Sequence, residues 1–217
     1  RPPVAVVPGT SPAGGLFPHL FLDRAKPGLI AVNVAGRRFV DESLSYHHFV
    51  EGLLPQGRAW LVCDAAFVRR YGLGVIPPGT RRLGRRVGID ASGLAATVAR
   101  TNGFADTGSD LDFGKGGTEV GRFNGDPAHA PNPCLGPIAA PPFCALEIHA
   151  ADAASSAGLA TDGDGKVLDA GGAPIPGLFA CGNDAASIMQ GSYPGPGATL
   201  GPAIVFGYRV GRSAAAG

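Results

Sequence analysis

A tyrosine, Tyr193, stands before a run of alternating proline and glycine in GSYPGPGATLGPAIVFG, Gly191 to Gly207. Pro194 and Pro196 each fix φ and carry no N–H. Gly195 and Gly197 leave the backbone bare and free to take shapes that other residues avoid. The pattern predicts a stiff loop that presents a phenol and main-chain amides. The apolar stretch that follows, Ala198 to Tyr208, predicts a helix beginning against that loop. A helix start carries unpaired N–H groups and a partial positive charge. The chemistry on offer is the holding of an electron-rich group: a phosphate, a carbonyl oxygen or the reduced ring of a flavin. The competing reading is a tight loop that only packs.

Several elements must position that loop. Leu29 to Asn33 reads as a strand, Ala35–Gly36 as a turn, and Arg38 to Val40 as the returning strand. Ala59 to Cys63 reads as a strand, with Asp64 capping a short helix, Ala65 to Tyr71, that Gly72 ends. Ile89 to Gly108 carries the clearest helical pattern. Ser92 is its expected cap, and Leu94, Val98 and Thr101 share a face. Thr107 to Asn132 is polar and glycine-rich and reads as loop. Pro141 to Ala151 predicts a strand after prolines. Ala157 to Asn183 predicts a β-rich meander with hairpin turns at Asp162–Gly163 and Asp164–Gly165, and with Gly177 leading into a strand, Leu178 to Cys181.

The bulk numbers narrow the classes. In 217 residues the charged fraction is 16 %, against the ~25 % usual for globular proteins. The 45 % hydrophobic content supports a packed core even with 35 glycines and 20 prolines. A net charge of +1 gives no footprint for nucleic acid. The basic run Arg81 to Arg86 reads as a solvated loop. Cys63, Cys134, Cys144 and Cys181 are scattered without metal or disulfide spacing, which predicts a reducing, cytoplasmic setting. No apolar run is long enough to span a membrane. The block from about Phe143 to Gly217, a β-meander, strand, glycine loop and helix, lacks a glycine-rich dinucleotide fingerprint before it, so a nucleotide site here would be half a site.

Three stretches carry a resemblance: PGLIAVNVAGRRFVDESLSYHHF, NGDPAHAPNPCLGPIAAPPFCALEI and AGLATDGDGKVLDAGGAPIPGLFACGNDAASIMQGSYPGPGATLGPAIVFGYRVGR. Together they resemble FAD-dependent oxidoreductases of the fumarate reductase/succinate dehydrogenase flavoprotein superfamily, and within it the 3-ketosteroid dehydrogenase branch. The resemblance implies an α/β fold: a Rossmann-like FAD domain interrupted by an α+β substrate-binding cap. Residues 1–9 would end an FAD-domain segment, 10–150 would form the cap, and 151–217 would be the returning C-terminal part of the FAD domain. The N-terminal half of that domain would be missing and would be needed to complete the site.

The resemblance also implies roles. Gly182 and Asn183, in LFACGN, match the segment that meets the ribityl chain of FAD. Ala198, Thr199 and Leu200 match the helix start facing the flavin's pyrimidine edge. Tyr193 and the N–H of Gly197 match the pair that holds a substrate's keto oxygen, and Tyr46, in ESLSY, matches the proton-abstracting base. Two donors on the keto oxygen stabilise enolate-like charge as an oxyanion hole does. A base removes the proton from the α carbon, and the neighbouring carbon gives hydride to the flavin. The implied substrate is an apolar, steroid-like ketone. The alternatives are a fumarate-reductase-like ene-reductase and a catalytically incomplete fragment. His47 and His48 are further acid–base candidates that also suit a plain surface. Arg37 and Arg38 read as turn and strand-edge charges, Asp184 as a loop residue, and His149 and Cys181 as structural.

Overall fold

Ala59–Asp64 is an unbroken run of buried residues, as expected for a strand covered on both faces. It is the axis of the larger of two compact units, Val6–Ala151; the other comprises Arg1–Ala5 and Asp152–Gly217. The computed structural model describes residues 4–10, 16–19, 22–74, 76, 88–193, 195 and 197–216. Pro194, Pro196 and the basic run Arg81 to Arg86 lie outside them.

The strands of the larger unit are β1 (Val4–Thr10, from Val6 on within this unit), β2 (Leu16–His19), β3 (Leu29–Asn33), β4 (Ala59–Asp64) and β5 (Phe143–Ile148). They lie side by side in the order β2-β1-β5-β4-β3. The β3–β4 and β4–β5 pairs are antiparallel, with Val32 opposite Trp60 and Leu61 opposite Leu146. The expected returning strand from Arg38 to Val40 is reduced to one bridge, Val32 to Arg38. The helices are α1 (Tyr46–Leu53), α2 (Ala65–Tyr71), α3 (Ala91–Thr107) and α4 (Glu119–Asn124).

Pleating puts Ile30, Val32, Trp60 and Val62 on one face of the sheet. They form a buried cluster with Ile138, and Ile89, Leu94 and Val98 pack against it. α3 therefore uses the face its sequence pattern predicts, with Thr101 also buried. Its cap is Asp90, not Ser92: the Asp90 carboxylate accepts from the Gly93 N–H at 2.8 Å. α2 ends and begins as expected. The Asp64 carboxylate accepts from Phe67 N–H at 2.9 Å and from the amides of Ala139 and Ala140, both at 2.9 Å. Gly72 ends the helix at φ 77°. The expected loop from Thr107 to Asn132 contains α4, a helix of six residues capped by the Thr118 hydroxyl.

In the smaller unit, β6 (Ala151–Ala154) precedes an antiparallel pair, β7 (Lys166–Leu168) and β8 (Pro174–Phe179). The two expected Asp–Gly hairpins merge into one turn, in which the Asp162 carboxylate takes the N–H groups of Asp164 and Lys166. The turn joining β7 to β8 is instead built on Asp169, which accepts from Gly171 and Ala173. β8 also starts earlier than Leu178, and Gly177 sits within it at φ 76°. The last helix, α5, runs Leu200–Ala216, starting two residues later and ending well beyond the expected span.

Candidate active site

The smaller unit gathers several of the residues singled out in the sequence around a concavity. Segment 155–161 lies along segment 183–187: Leu159 N–H donates to Asp184 O at 2.8 Å, Ala186 N–H to Leu159 O at 2.8 Å, and Ser187 N–H to Ser156 O at 3.0 Å. The Ser155 hydroxyl donates to Asn183 O at 2.8 Å. This ladder admits no side chain at Gly158, where a Cβ would lie 2.4 Å from the Asp184 carbonyl oxygen. β8 delivers the chain to Gly182, which turns at φ 64° into a short 3-10 helix, Gly182–Asp184.

Two further turns return the chain to α5. Ser192 N–H donates to Met189 O at 2.9 Å, after Gln190 and Gly191 have both taken positive φ. Gly197 then takes φ 93°, a conformation that disfavours any side chain. Its carbonyl accepts from Gly201 N–H at 2.8 Å and so starts α5.

The result is an open concavity lined by Gly182, Asn183, Tyr193, Ala198 and Thr199 together with Ser155, Ser156, Thr161, Ser187 and Ser192. Gly197 borders the same turn and is exposed. Leu200 opens α5 with its side chain 64 % exposed. Among the described residues the lining is uncharged. Hydroxyls, one carboxamide and the first turn of a helix stand beside the apolar side chains of Ile188, Met189, Pro202 and Phe206, giving a neutral surface of mixed polarity. Such a surface fits a polyol chain and a polar heteroaromatic ring, and it offers no cation for a diphosphate.

Tyr46 belongs to the larger unit, where it is the first residue of α1 and half-buried. A buried ion cluster fixes the segment leading to it. The Arg38 guanidinium donates to Glu42 at 2.7 and 2.8 Å and to Asp110 at 2.9 and 3.1 Å. Glu42 also accepts from Ala31 N–H at 2.9 Å, and Lys115 Nζ donates to Leu29 O at 2.6 Å. The Asp41 carboxylate holds the Ser43 amide and hydroxyl, and the Ser43 hydroxyl in turn accepts from Gly116 N–H. Burial pushes the Glu42 carboxyl up, but the Arg38 and Lys115 charges outweigh it and hold Glu42 below the usual carboxylate range. Asp110 is held low in the same way by Arg38. Desolvation pulls Lys115 down, and it pushes Asp41 up.

Arg38 is thus no strand-edge charge. It is 8 % exposed and holds the cap of the cluster. The signal present in the sequence is its four-residue spacing to Glu42 in RFVDE. His47 lies 3.3 Å from Glu51, and His48 Nδ1 lies 2.9 Å from the Ser45 hydroxyl. Both contacts are local to α1.

Residues 2–200 match the family model described as FAD binding domain. The chain is 40 % identical over 226 aligned residues to 4-oxocyclohex-2-ene-1-carboxylate 5-dehydrogenase of Sinomonas cyclohexanicum, covering 92 % of this chain and 38 % of that protein. It is 37 % identical to 3-oxosteroid 1-dehydrogenase of Mycobacterium tuberculosis, covering 86 % of this chain and 38 % of that protein. The crystal structure of 3-ketosteroid delta1-dehydrogenase from Sterolibacterium denitrificans, in complex with 1,4-androstadiene-3,17-dione, superposes with a TM-score of 0.91 at 36 % identity. That match covers 99 % of this chain and 43 % of the other. The chain therefore spans about two fifths of the length of the curated relatives it matches.

Proposed function

The chain belongs to the FAD binding domain family, and from that membership we propose that it supplies the substrate cap and the closing part of the FAD domain of a flavin-dependent dehydrogenase. Its substrate is an apolar cyclic ketone of the steroid-like class, and the product carries a new C=C bond beside the carbonyl. In this reading residues 10–150 are the cap and 151–217 the returning part of the FAD domain. The observation that supports it most is the concavity that gathers Gly182, Asn183, Tyr193, Ala198 and Thr199 at the start of α5.

Each residue then has a task. Gly182 and Asn183 hold the polyol of FAD with backbone and carboxamide. Ala198, Thr199 and Leu200 present the helix N-terminus, whose partial positive charge favours an electron-rich ring. Tyr193 O–H and Gly197 N–H donate to the ketone oxygen and stabilise the negative charge that develops there. Tyr46 takes the proton from the α carbon. Bound FAD supplies the acceptor for the hydride that leaves the neighbouring carbon. Both relatives are named for cyclic ketones, which matches a site built to hold one carbonyl oxygen.

The face of α5 supports the need for a further segment. Leu200, Ile204, Val205 and Tyr208 are 56–68 % exposed, a row of apolar residues that the rest of an FAD domain would cover.

The test is turnover of a 3-keto steroid and of a 4-oxocyclohexane carboxylate with an artificial electron acceptor, in a full-length protein carrying this sequence. Tyr193→Phe is expected to lower kcat about 100-fold or more. Unchanged turnover would remove Tyr193 from the site. A flavin-fluorescence titration of the 217-residue chain alone is expected to show weak binding that tightens when the N-terminal FAD segment is added. Equal binding with and without that segment would contradict the half-site reading.

A further inference from the structure

We propose that Cys63 and Cys144 form an oxidative modification site, in which hydrogen peroxide joins them in a reversible disulfide between β4 and β5. The pair takes no part in the flavin chemistry proposed above. Spacing in the sequence hides it, and the sheet creates it. In the antiparallel β4–β5 register the two cysteines are direct partners, flanked by Val62 opposite Ala145 and Asp64 opposite Phe143. Directly opposed residues point to the same face of a sheet. Their Cβ atoms stand about 4.5–5.5 Å apart, and a disulfide takes about 3.5–4.5 Å, so the bond closes with a shift of about an ångström.

The chain is pinned beside both cysteines. Just beyond Cys63, the Asp64 carboxylate accepts from the Ala139 and Ala140 amides, both at 2.9 Å, and Ala65 N–H donates to the Ala140 carbonyl at 3.0 Å. The segment that leaves β4 is thus tied to the segment that enters β5, which holds the two sulfurs face to face. A hydrogen bond between the thiols pushes Cys63 up, and burial adds to it. The same bond outweighs burial at Cys144 and holds that thiol below its ordinary value. Cys144 is therefore the sulfur that ionises first and attacks. Cys63 is fully buried, whereas Cys144 is 6 % exposed and follows the exposed residues Pro141, Pro142 and Phe143. A small oxidant has the shortest way in from that end. Cys134 is the contrast within the same chain. It stands outside the sheet, its thiol donates to the Gly121 carbonyl at 3.1 Å, and burial pushes it up.

The reaction runs in two steps. The Cys144 thiolate attacks one peroxide oxygen: an S–O bond forms, the O–O bond breaks and hydroxide leaves. The sulfur is oxidised by two electrons to a sulfenic acid, and the peroxide is reduced. Cys63 then attacks the sulfenic sulfur: the S–S bond forms, the S–O bond breaks and a second hydroxide leaves. Each hydroxide takes up one thiol proton, so two thiols and one peroxide give one disulfide and two waters. A dithiol reductant reverses the bond by exchange and is itself oxidised to a disulfide.

The test is peptide mapping of the folded full-length protein carrying this sequence, after a small molar excess of hydrogen peroxide, alkylation and trypsin. Cys63 lies in the peptide 59–69, and Cys134 and Cys144 lie in the peptide 123–166. The two peptides are expected to appear joined, lighter than their sum by two hydrogens, with fragmentation placing the link at Cys144. Dithiothreitol is expected to separate them. Cys134→Ala should leave the linked yield unchanged, and Cys144→Ala should lower it about tenfold or more. Cys63→Ala removes the resolving thiol and should raise trapping of a Cys144 sulfenic acid by dimedone about tenfold. Cys144 recovered as a free thiol, a sulfinic acid at Cys144 without a link, or a link to Cys134 or Cys181 in its place would each overturn the proposal. If circular dichroism shows a variant to be unfolded, the map of the unsubstituted protein still decides, because it requires no substitution.

Discussion

The two units handle polarity in opposite ways. The larger one buries charge: Arg38, Glu42, Asp110 and Lys115 lie inside it, and each meets a partner. The smaller one exposes apolar surface: α5 contains no buried residue, although it carries Leu200, Ile204, Val205, Phe206 and Tyr208. A buried ion cluster gives one rigid arrangement, because any other leaves a charge unpaired. An exposed apolar helix gives a surface that is complete only when something covers it. The contrast separates a unit that fixes its geometry by internal charge pairing from one that leaves an apolar helix face open among the described residues.

Four changes probe that contrast, in descending order of expected effect. Arg38→Met leaves Asp110 without its cation and Glu42 with only Lys115, 3.6 Å away, and is expected to cost about 3–5 kcal/mol by denaturant unfolding. A loss under about 1 kcal/mol would show that the cluster is hydrated and not structural. Asp64→Ala removes the acceptor for three amides and is expected to cost about 1–3 kcal/mol in the same assay. Acid should separate the units as well. Glu42 and Asp110 are held below their ordinary range in the folded state, so their contribution is present above pH ~4 and lost as pH falls through and below it. Asp41, pushed up by burial, has the opposite sign and offsets part of that loss. Stability that stays flat down to about pH 3 would contradict the depressed carboxyls. Ile204→Ser should change the chain's own stability by less than about 0.5 kcal/mol, because Ile204 is 64 % exposed. A large loss there would mean that the face is already covered.

Features decided within a few residues were legible in the sequence. Asp64 and Gly72 bracket α2 because a cap and a left-handed stop are local devices. The Leu94, Val98 and Thr101 face of α3 was legible for the same reason. The cap of α3 was misplaced because Asp90 and Ser92 are both able to cap, and only geometry selects the oxygen that reaches Gly93. α4 escaped because six residues flanked by glycines show no period. Arg38 escaped because its second partner, Asp110, lies 72 residues away. At the candidate site, the turn glycines Gly182 and Gly197 were visible as residue types. The serine and threonine lining was not, since those residues enter from segments with no motif of their own.

The central strand has a consequence for how the chain is made. β4 meets β3 on one edge early in the sequence, but its other edge waits for β5, which begins only at Phe143. During synthesis, the run Ala59–Asp64 leaves the ribosome as an apolar strand with an open row of amides and carbonyls, and it stays that way while α2, α3 and α4 are added. An exposed edge of that kind is a template for pairing with another nascent copy. The long-range closure also favours slow folding. Recovery of native protein from expression should therefore depend on temperature and on chaperone supply more steeply than its final stability would predict.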